Sequence, residues 1–482
     1  MVIIGAGFAG IGLGALLRRA GIGSFTILEK SADLGGTWRD NTYPGAACDV
    51  PSHLYCYSFA PKPDWSRRHA PGPEILAYLR DVAVAEGVAP HIRYGCEVAV
   101  AEWSEEQTEW TMTLSDGRTI RADVVVSAVG QLHRPAVPEL PGADSFVGPA
   151  FHSARWPADL SLTGRRVGVV GSAASAVQIV PAIATESESV TVFQRSPNWI
   201  LRRGDRPYRG WEKRAFATVP LVRRAHRAWI WASYEVRFPA LRDRRLFVAA
   251  ARRLLDRHLV EEVPIDDRAR LTPDFPVGAR RVLSADDYYP ALRRDDVHLE
   301  TAGIARVLPD GVELIDGRFV PLDVLVYATG FRSTEFLVPM TVKSRGRELS
   351  EEWREGARAY LGLSVPGFPN FFVMYGPNTN LGHNSIVFML EAQARHIVRV
   401  LADMAHGDEV EVSRDAFDRQ DRALRRDLAR TVWGQVERSW YKTDAGRITN
   451  NWGAGTPRYW WLTRRGARSA YRQRRRMTEP IT

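Results

Sequence analysis

The chain has 482 residues, too many for one ordinary hydrophobic core and enough for two or three domains. Apolar residues make up 45% and charged residues 25%, a globular balance that excludes a disordered or collagen-like chain. The formal net charge of +9 comes largely from arginines that occur throughout the sequence, which disfavours a dedicated nucleic-acid surface.

Met1 runs directly into the apolar run Val2-Ile3-Ile4, with no secretory leader, so a cytoplasmic location is expected. The run is short for a strand, and the native chain is expected to begin a few residues earlier. Gly5-Ala6-Gly7-Phe8-Ala9-Gly10 follows, then an Ala/Leu-rich helical stretch, then a strand over Phe25–Leu28 that ends at Glu29. An acid 19 residues after the last glycine completes a β-α-β dinucleotide pattern. Gly5 permits the tight turn, Gly7 lets backbone approach a pyrophosphate at the helix N-terminus, and Gly10 lets helix and strand pack. Glu29 would accept hydrogen bonds from a ribose hydroxyl.

Next come Gly35-Gly36-Thr37-Trp38 and Asn41-x-Tyr43-Pro44-Gly45-x-x-Cys48-Asp49-x-Pro51-Ser52. By themselves Trp38 reads as a core aromatic and Asp49 as a turn cap. Cys48, Cys56 and Cys96 form no C-x-x-C pair, which excludes a disulfide scaffold, a metal centre of the zinc type and a dithiol redox motif. An apolar strand leads to Ala128-Val129-Gly130, and residues 146–157 read Phe-Val-Gly-Pro-Ala-Phe-His-Ser-Ala-Arg-Trp-Pro.

A second β-α-β opens at Arg165 and turns at Gly171-Ser172-Ala173-Ala174-Ser175. The apolar stretch 167–184 is broken by Gly171, so it reads as strand, turn and helix rather than a membrane span, and no stable membrane insertion is expected. Its second strand, Val190–Phe193, ends in Gln194-Arg195-Ser196 rather than in an acid. A carboxylate there would repel a 2′-phosphate, whereas an arginine can hold one, so NADPH is expected over NADH. Residues 205–275 are rich in Arg and Trp with helical spacing, and predict a helical insertion. Core packing and a lid are the reading for this insertion, ahead of an amphipathic membrane-contacting surface.

Gly278-Ala279-Arg280-Arg281-Val282-Leu283 precedes a strand to Ala328-Thr329-Gly330. Turn and strand then follow over Leu361–Phe372, a loop over Tyr375–Asn384, and a helix from about Ile386 to Met404. The cluster Arg472, Arg474, Arg475 and Arg476 is expected to be a solvated tail.

Phe146, Gly148, His152, Trp156 and Pro157 match the F-x-G-x-x-x-H-x-x-x-W-P fingerprint, and the chain thereby resembles the type I Baeyer–Villiger monooxygenases, class B flavoprotein monooxygenases of the flavin-containing monooxygenase superfamily. The segments around Trp38, Asp49, Arg281, Tyr375, Asn450 and Tyr459 extend the resemblance over nearly the whole chain. It implies an α/β fold with two Rossmann-like dinucleotide-binding domains, one for FAD and one for NADP, and a helical insertion at about 205–275. The expected divisions are 1–140 for the first part of the FAD domain, 141–160 for a linker carrying the fingerprint, 161–335 for the NADP domain and 336–482 for the return to the FAD domain.

The resemblance also implies roles. Gly36, Thr37 and Trp38 would lie along the flavin, Tyr55 and Val98 would contact a cofactor, and Asp49 would be an acid beside flavin and nicotinamide. Gly171, Ser172, Ala173, Ala174, Ser175, Arg195, Ser196 and Arg280 would hold NADPH. Ala173 stands where the family's turn has glycine, and Arg280 where it has lysine. Arg281 would be the catalytic cation, oriented by Asp49, and His152 would couple domain movement to catalysis. The implied reaction inserts one oxygen from O2 next to the carbonyl of a small-molecule ketone by way of a C4a-peroxyflavin, giving an ester or lactone. The alternatives are an N- or S-oxygenating flavin monooxygenase, a disulfide reductase that the cysteine pattern opposes, and a non-catalytic flavin- or nicotinamide-binding sensor.

Overall fold

A computed structural model of the chain describes residues 1–402, 404–436, 441–443 and 445–474, apart from the side chains of residues 467 and 468. Two parallel sheets of five strands organise it. The first runs Phe371–Val373, Val125–Ser127, Val2–Ile4, Thr26–Leu28, Ile92–Arg93 in spatial order. The second runs Val297–Glu300, Ser189–Phe193, Arg166–Val170, Val324–Tyr327, Ala150–His152. Parallel strands covered on both faces read as apolar runs rather than alternating, as the central strands Val2–Ile4 and Val324–Tyr327 do. Ile3, Ile27, Val126, Val167, Val192 and Val326 are all fully buried.

Each sheet carries its glycine turn at the C-terminal end of a central strand, where open α/β sheets bind ligands. Gly5 and Gly171 both take positive φ, +108° and +110°, with their amides tied to the neighbouring strand. Helix Phe8–Arg19 leaves the first turn and helix Ala176–Ile183 the second. A Cβ on Gly10 would sit 1.9 Å from the Gly5 carbonyl oxygen, so only glycine lets this helix start against its strand.

A second layer is antiparallel. Val98–Ser104, Glu109–Leu114 and Thr119–Ala122 form a meander, and Thr341–Ser344 adds to Val98–Ser104 in parallel. Here the pattern alternates, with Trp110, Met112 and Leu114 inward. The insertion consists of helices Gly210–Thr218, Pro220–Glu235, Phe238–Leu241, Arg245–Glu262 and Ile265–Leu271. Ile200–Leu201, ahead of the insertion, pairs with Leu283–Ser284 beyond it in a separate two-stranded sheet, so the chain leaves and returns at one place, next to the Arg280-Arg281 stretch.

Within the stretch 141–160, Ala150–His152 docks on Val324–Tyr327 as the edge strand of the second sheet. Two expectations are corrected. The predicted helix from Ile386 ends at Leu401 rather than Met404. Arg472 and Arg474 belong to a strand, Tyr471–Arg474, that pairs with Glu409–Val412; Arg475 and Arg476 lie outside the described residues. The partly buried Tyr471, whose hydroxyl meets Ser364 and His396, gives that segment the apolar anchor that a solvated tail lacks.

Candidate functional site

A cavity of about 1650 Å³ runs between the two glycine turns. Of the expected contact residues, all but Gly10 line it, from Gly5, Glu29 and Trp38 at one end to Ser175, Arg195 and Arg280 at the other. Gly10 packs instead.

At the first turn, a Cβ on Gly7 would meet nothing closer than 3.8 Å, the Cα of Gly36. The missing side chain thus leaves open space rather than relieving a clash, which suits a pyrophosphate lying between the two glycine segments. Neither glycine-turn helix has a side-chain cap or an acid in its first turn, so the N-terminal N–H groups and the positive dipole end stay free for an anion. Glu29 is buried and accepts from the amides of Ala6 at 2.9 Å and Ser31 at 3.0 Å and from Arg39 at 3.0 Å. These bonds fix the carboxylate at the strand end, and Arg39, which the sequence did not single out, neutralises it. The Trp38 indole donates to the Tyr55 hydroxyl at 3.2 Å, their rings edge to face. Val98, with Cys96 and Glu97, closes the wall at the start of its strand.

The second turn gathers cations. The Ser172 hydroxyl donates to the Ser196 carbonyl at 3.2 Å, and Arg280 donates to the Ser196 hydroxyl at 2.6 Å while stacking over Phe275. Burial, together with the charge of Arg195, pulls the Arg280 guanidinium below its ordinary value. Two guanidiniums are therefore held close enough to repel, and among the described residues neither has an ion pair with a carboxylate. A doubly charged phosphate would relieve that repulsion. Ala173 and Ala174 are exposed at this rim.

Between the ends lies the ion pair of Asp49 and Arg281. Arg281 Nε and Nη2 both donate to Asp49 Oδ2, at 3.0 and 2.5 Å, across 232 residues of sequence. Each partner is anchored by its neighbours: Cys48 N donates to Ala70 O, and the carbonyl of Gly278 accepts from the buried Trp433 indole at 2.9 Å. The side chains stay 29% and 37% exposed, open to the cavity. Burial works to raise the Asp49 carboxyl, but the attraction and hydrogen bonds of Arg281 overcome it and hold the group below its ordinary 3.8. The charge of Asp49 drives Arg281 upward in turn, against burial.

Several lining residues were missed. Tyr375 has positive φ of 54°, strain tolerated because its amide donates to Gln393 and its carbonyl accepts from Gln131. Burial pushes its phenol up to about 12, so it stays protonated beside the pair. Tyr43 and Gln178 join the two halves: the Tyr43 hydroxyl donates to Gln178 Oε1 at 3.0 Å, and Gln178 Nε2 donates to Ala47 O at 2.9 Å. In the sequence Tyr43 falls within the Asn41–Ser52 motif, and Gln178 lies three residues beyond the second glycine turn.

The fingerprint residues do not line the cavity. His152 is buried, its Nδ1 accepting from Ala154 N and its Nε2 donating to Gly330 O at 2.9 Å. Burial lowers its pKa, keeping it neutral. Gly330 O also accepts from Ala136 N at 2.9 Å, and Thr329 donates to Ala136 O, so His152 clamps the point where the two strands connecting the sheets cross. A Cβ on Gly148 would lie 2.2 Å from Asp323 O, while Phe146 packs on the second sheet and Trp156 edge-on to Phe151. Pro157 is exposed.

A family profile described as pyridine nucleotide-disulphide oxidoreductase matches residues 2–211. A Baeyer–Villiger monooxygenase of Streptomyces coelicolor is 39% identical, the match covering 96% of this chain and 91% of that protein. Among solved structures, an oxidized steroid monooxygenase bound to NADP superposes with TM-score 0.88 at 30% identity, over 98% of both chains. The structure of OTEMO in complex with FAD and NADP gives 0.86 at 29% identity over 98% and 99%. The chain belongs to the Baeyer–Villiger monooxygenase family.

Proposed function

We propose that the chain is an FAD- and NADPH-dependent monooxygenase that inserts one oxygen atom of O2 beside a ketone carbonyl, giving an ester or lactone. The observation that carries this reading is the Asp49–Arg281 pair, midway along a cavity whose two ends are both built for dinucleotide phosphates. When bound, NADPH supplies hydride and FAD activates O2.

The residues supply everything else. The Gly5–Gly10 turn and Gly36 seat one pyrophosphate, and Glu29 receives its ribose. The Gly171–Ser175 turn seats the other, with Arg195, Arg280 and Ser196 on the 2′-phosphate. Arg281 presents a permanent positive charge where negative charge gathers on the oxygen adding to a carbonyl, and a fixed cation in a secluded cavity stabilises that charge without reorganising. Asp49 sets the direction of the guanidinium, acting as its positioning residue. Trp38, Tyr55 and Tyr375 wall the site with rings that exclude water.

The test is NADPH oxidation by FAD-loaded protein over a ketone panel, with heteroatom compounds as controls and products identified by mass spectrometry. An ester or lactone one oxygen heavier than its ketone is expected. Sulfoxides or hydroxylamines, with no ester from any ketone, would replace this reading with N- or S-oxygenation.

A further inference from the structure

Helix Pro220–Glu235 has two opposite faces that the catalytic reading does not explain together. Its inner face is ordinary: Ile230 is buried, His226 stacks on Phe216, and Trp231 stacks on Phe388 and donates to the Thr456 hydroxyl. Its outer face is apolar as well. Leu221, Ala225, Ala228, Trp229 and Ala232, with Val236 just beyond, are all exposed, Leu221 to 73% and Trp229 to 58%. At 100° per residue they fall within a sector of roughly 100°, an unbroken apolar stripe facing solvent. Trp211, on the preceding helix Gly210–Thr218, and Leu246 and Phe247, which open helix Arg245–Glu262, are exposed too.

The charge around the stripe is one-sided. Residues 209–254 contain twelve lysines and arginines against three acids, an excess equal to the +9 of the entire chain. Of those acids, Glu212 is paired with Arg206, and Glu235 accepts from Asn384 and Thr456. Arg214, Arg224, Arg244, Arg245 and Arg253 are exposed and, among the described residues, have no carboxylate within ion-pair distance.

We infer that this face docks on an anionic lipid surface. The stripe would lie at the headgroup–acyl boundary, with Trp229 where indoles favour the interface and the arginines reaching lipid phosphates and carboxylates. A second copy of the chain is the poorer occupant, because a self-contact would bring together two faces that each carry twelve lysines and arginines against three acids, two of which, Glu212 and Glu235, are already engaged. Nucleic acid would satisfy the charge and leave the stripe bare. No helix among the described residues is long and apolar enough to cross a membrane, so the contact is peripheral.

The experiment is co-sedimentation of the FAD-loaded protein with vesicles of phosphatidylcholine alone and of phosphatidylcholine with a quarter phosphatidylserine. Binding to the anionic vesicles should exceed that to phosphatidylcholine by about tenfold or more, and high salt should reverse it. The double substitution Leu221→Glu with Trp229→Glu should weaken it by about tenfold or more while NADPH oxidation in vesicle-free buffer is unchanged. Both side chains are exposed, so folding is not at stake, and the salt reversal tests the unaltered chain. Equal binding to both vesicle types, no binding to either, or a dimer in sedimentation velocity that the double substitution dissolves would each overturn the inference.

Discussion

Arg281 and Asp49 meet through a single carboxylate oxygen, and what each does follows from that contact. Arg281→Ala removes the cation that Asp49 holds in the cavity. Ester formation should fall by about 10²- to 10³-fold, the range for losing one preorganised charge donor, with FAD content unchanged in the absorbance spectrum. Asp49→Asn keeps the shape and loses the charge. Because the folded carboxyl lies below 3.8, the pair is complete above that pH and is lost only as pH falls through the lower folded value. The ratio of wild-type to Asp49→Asn rates should therefore be constant across the neutral range; a ratio that changes there would show another group in control. At the opposite end, Arg280→Ala should raise KM for NADPH by about 10- to 100-fold, one charge-assisted hydrogen-bonding partner, and leave KM for NADH alone. Ala173 stands exposed at the same rim, and Ala173→Gly should tighten NADPH by letting backbone nearer the pyrophosphate; unchanged affinity would show that the methyl is no obstacle.

At the scale of elements, the fingerprint is a clasp. The edge strand Ala150–His152 carries His152 to Gly330 O, which also receives Ala136 N from the other connection between the sheets. Removing the imidazole frees that crossing without touching either glycine turn. His152→Ala should keep its FAD and still oxidise NADPH, yet form less ester per NADPH consumed; loss of bound FAD with a lowered melting temperature would assign His152 to folding alone. The glycine turns were legible in the sequence because backbone at Gly5, Gly10 and Gly171 admits no side chain. The clasp was only half legible: spacing marked His152, but that its strand joins the second sheet depends on register with Val324–Tyr327, which no local pattern encodes.

For the whole molecule, buried histidines set acid stability. Burial brings His53 down to about 3, with the charges of His226 and Arg223 adding to it, and burial brings His396 down to about 4. Both are near 6.5 when unfolded, so below that pH the unfolded chain binds protons that the folded chain refuses, and stability falls as pH drops. Each group contributes a slope of about 1.4 kcal/mol per pH unit. Denaturant midpoints should decline from pH 6.5 toward pH 4, and His396→Gln should make the decline shallower. The two-sheet architecture was readable because its strands are continuously apolar and its turns glycine-rich. The central pair was readable only through resemblance, since nothing near Asp49 announces a partner 232 residues away. Which faces of the insertion helices meet solvent was not legible, because helical spacing of Leu and Trp looks the same whether a stripe meets core or solvent.

The most direct measurement of the central claim follows one accepted ketone with NADPH and O2, quantifying ester and hydrogen peroxide together for wild type and Arg281→Ala at equal FAD content. Wild type should yield ester in step with NADPH consumed, and the variant should consume NADPH and release hydrogen peroxide in its place. An undiminished ester yield from the variant would contradict the account, because the charge that steers oxygen to the carbonyl would then lie elsewhere.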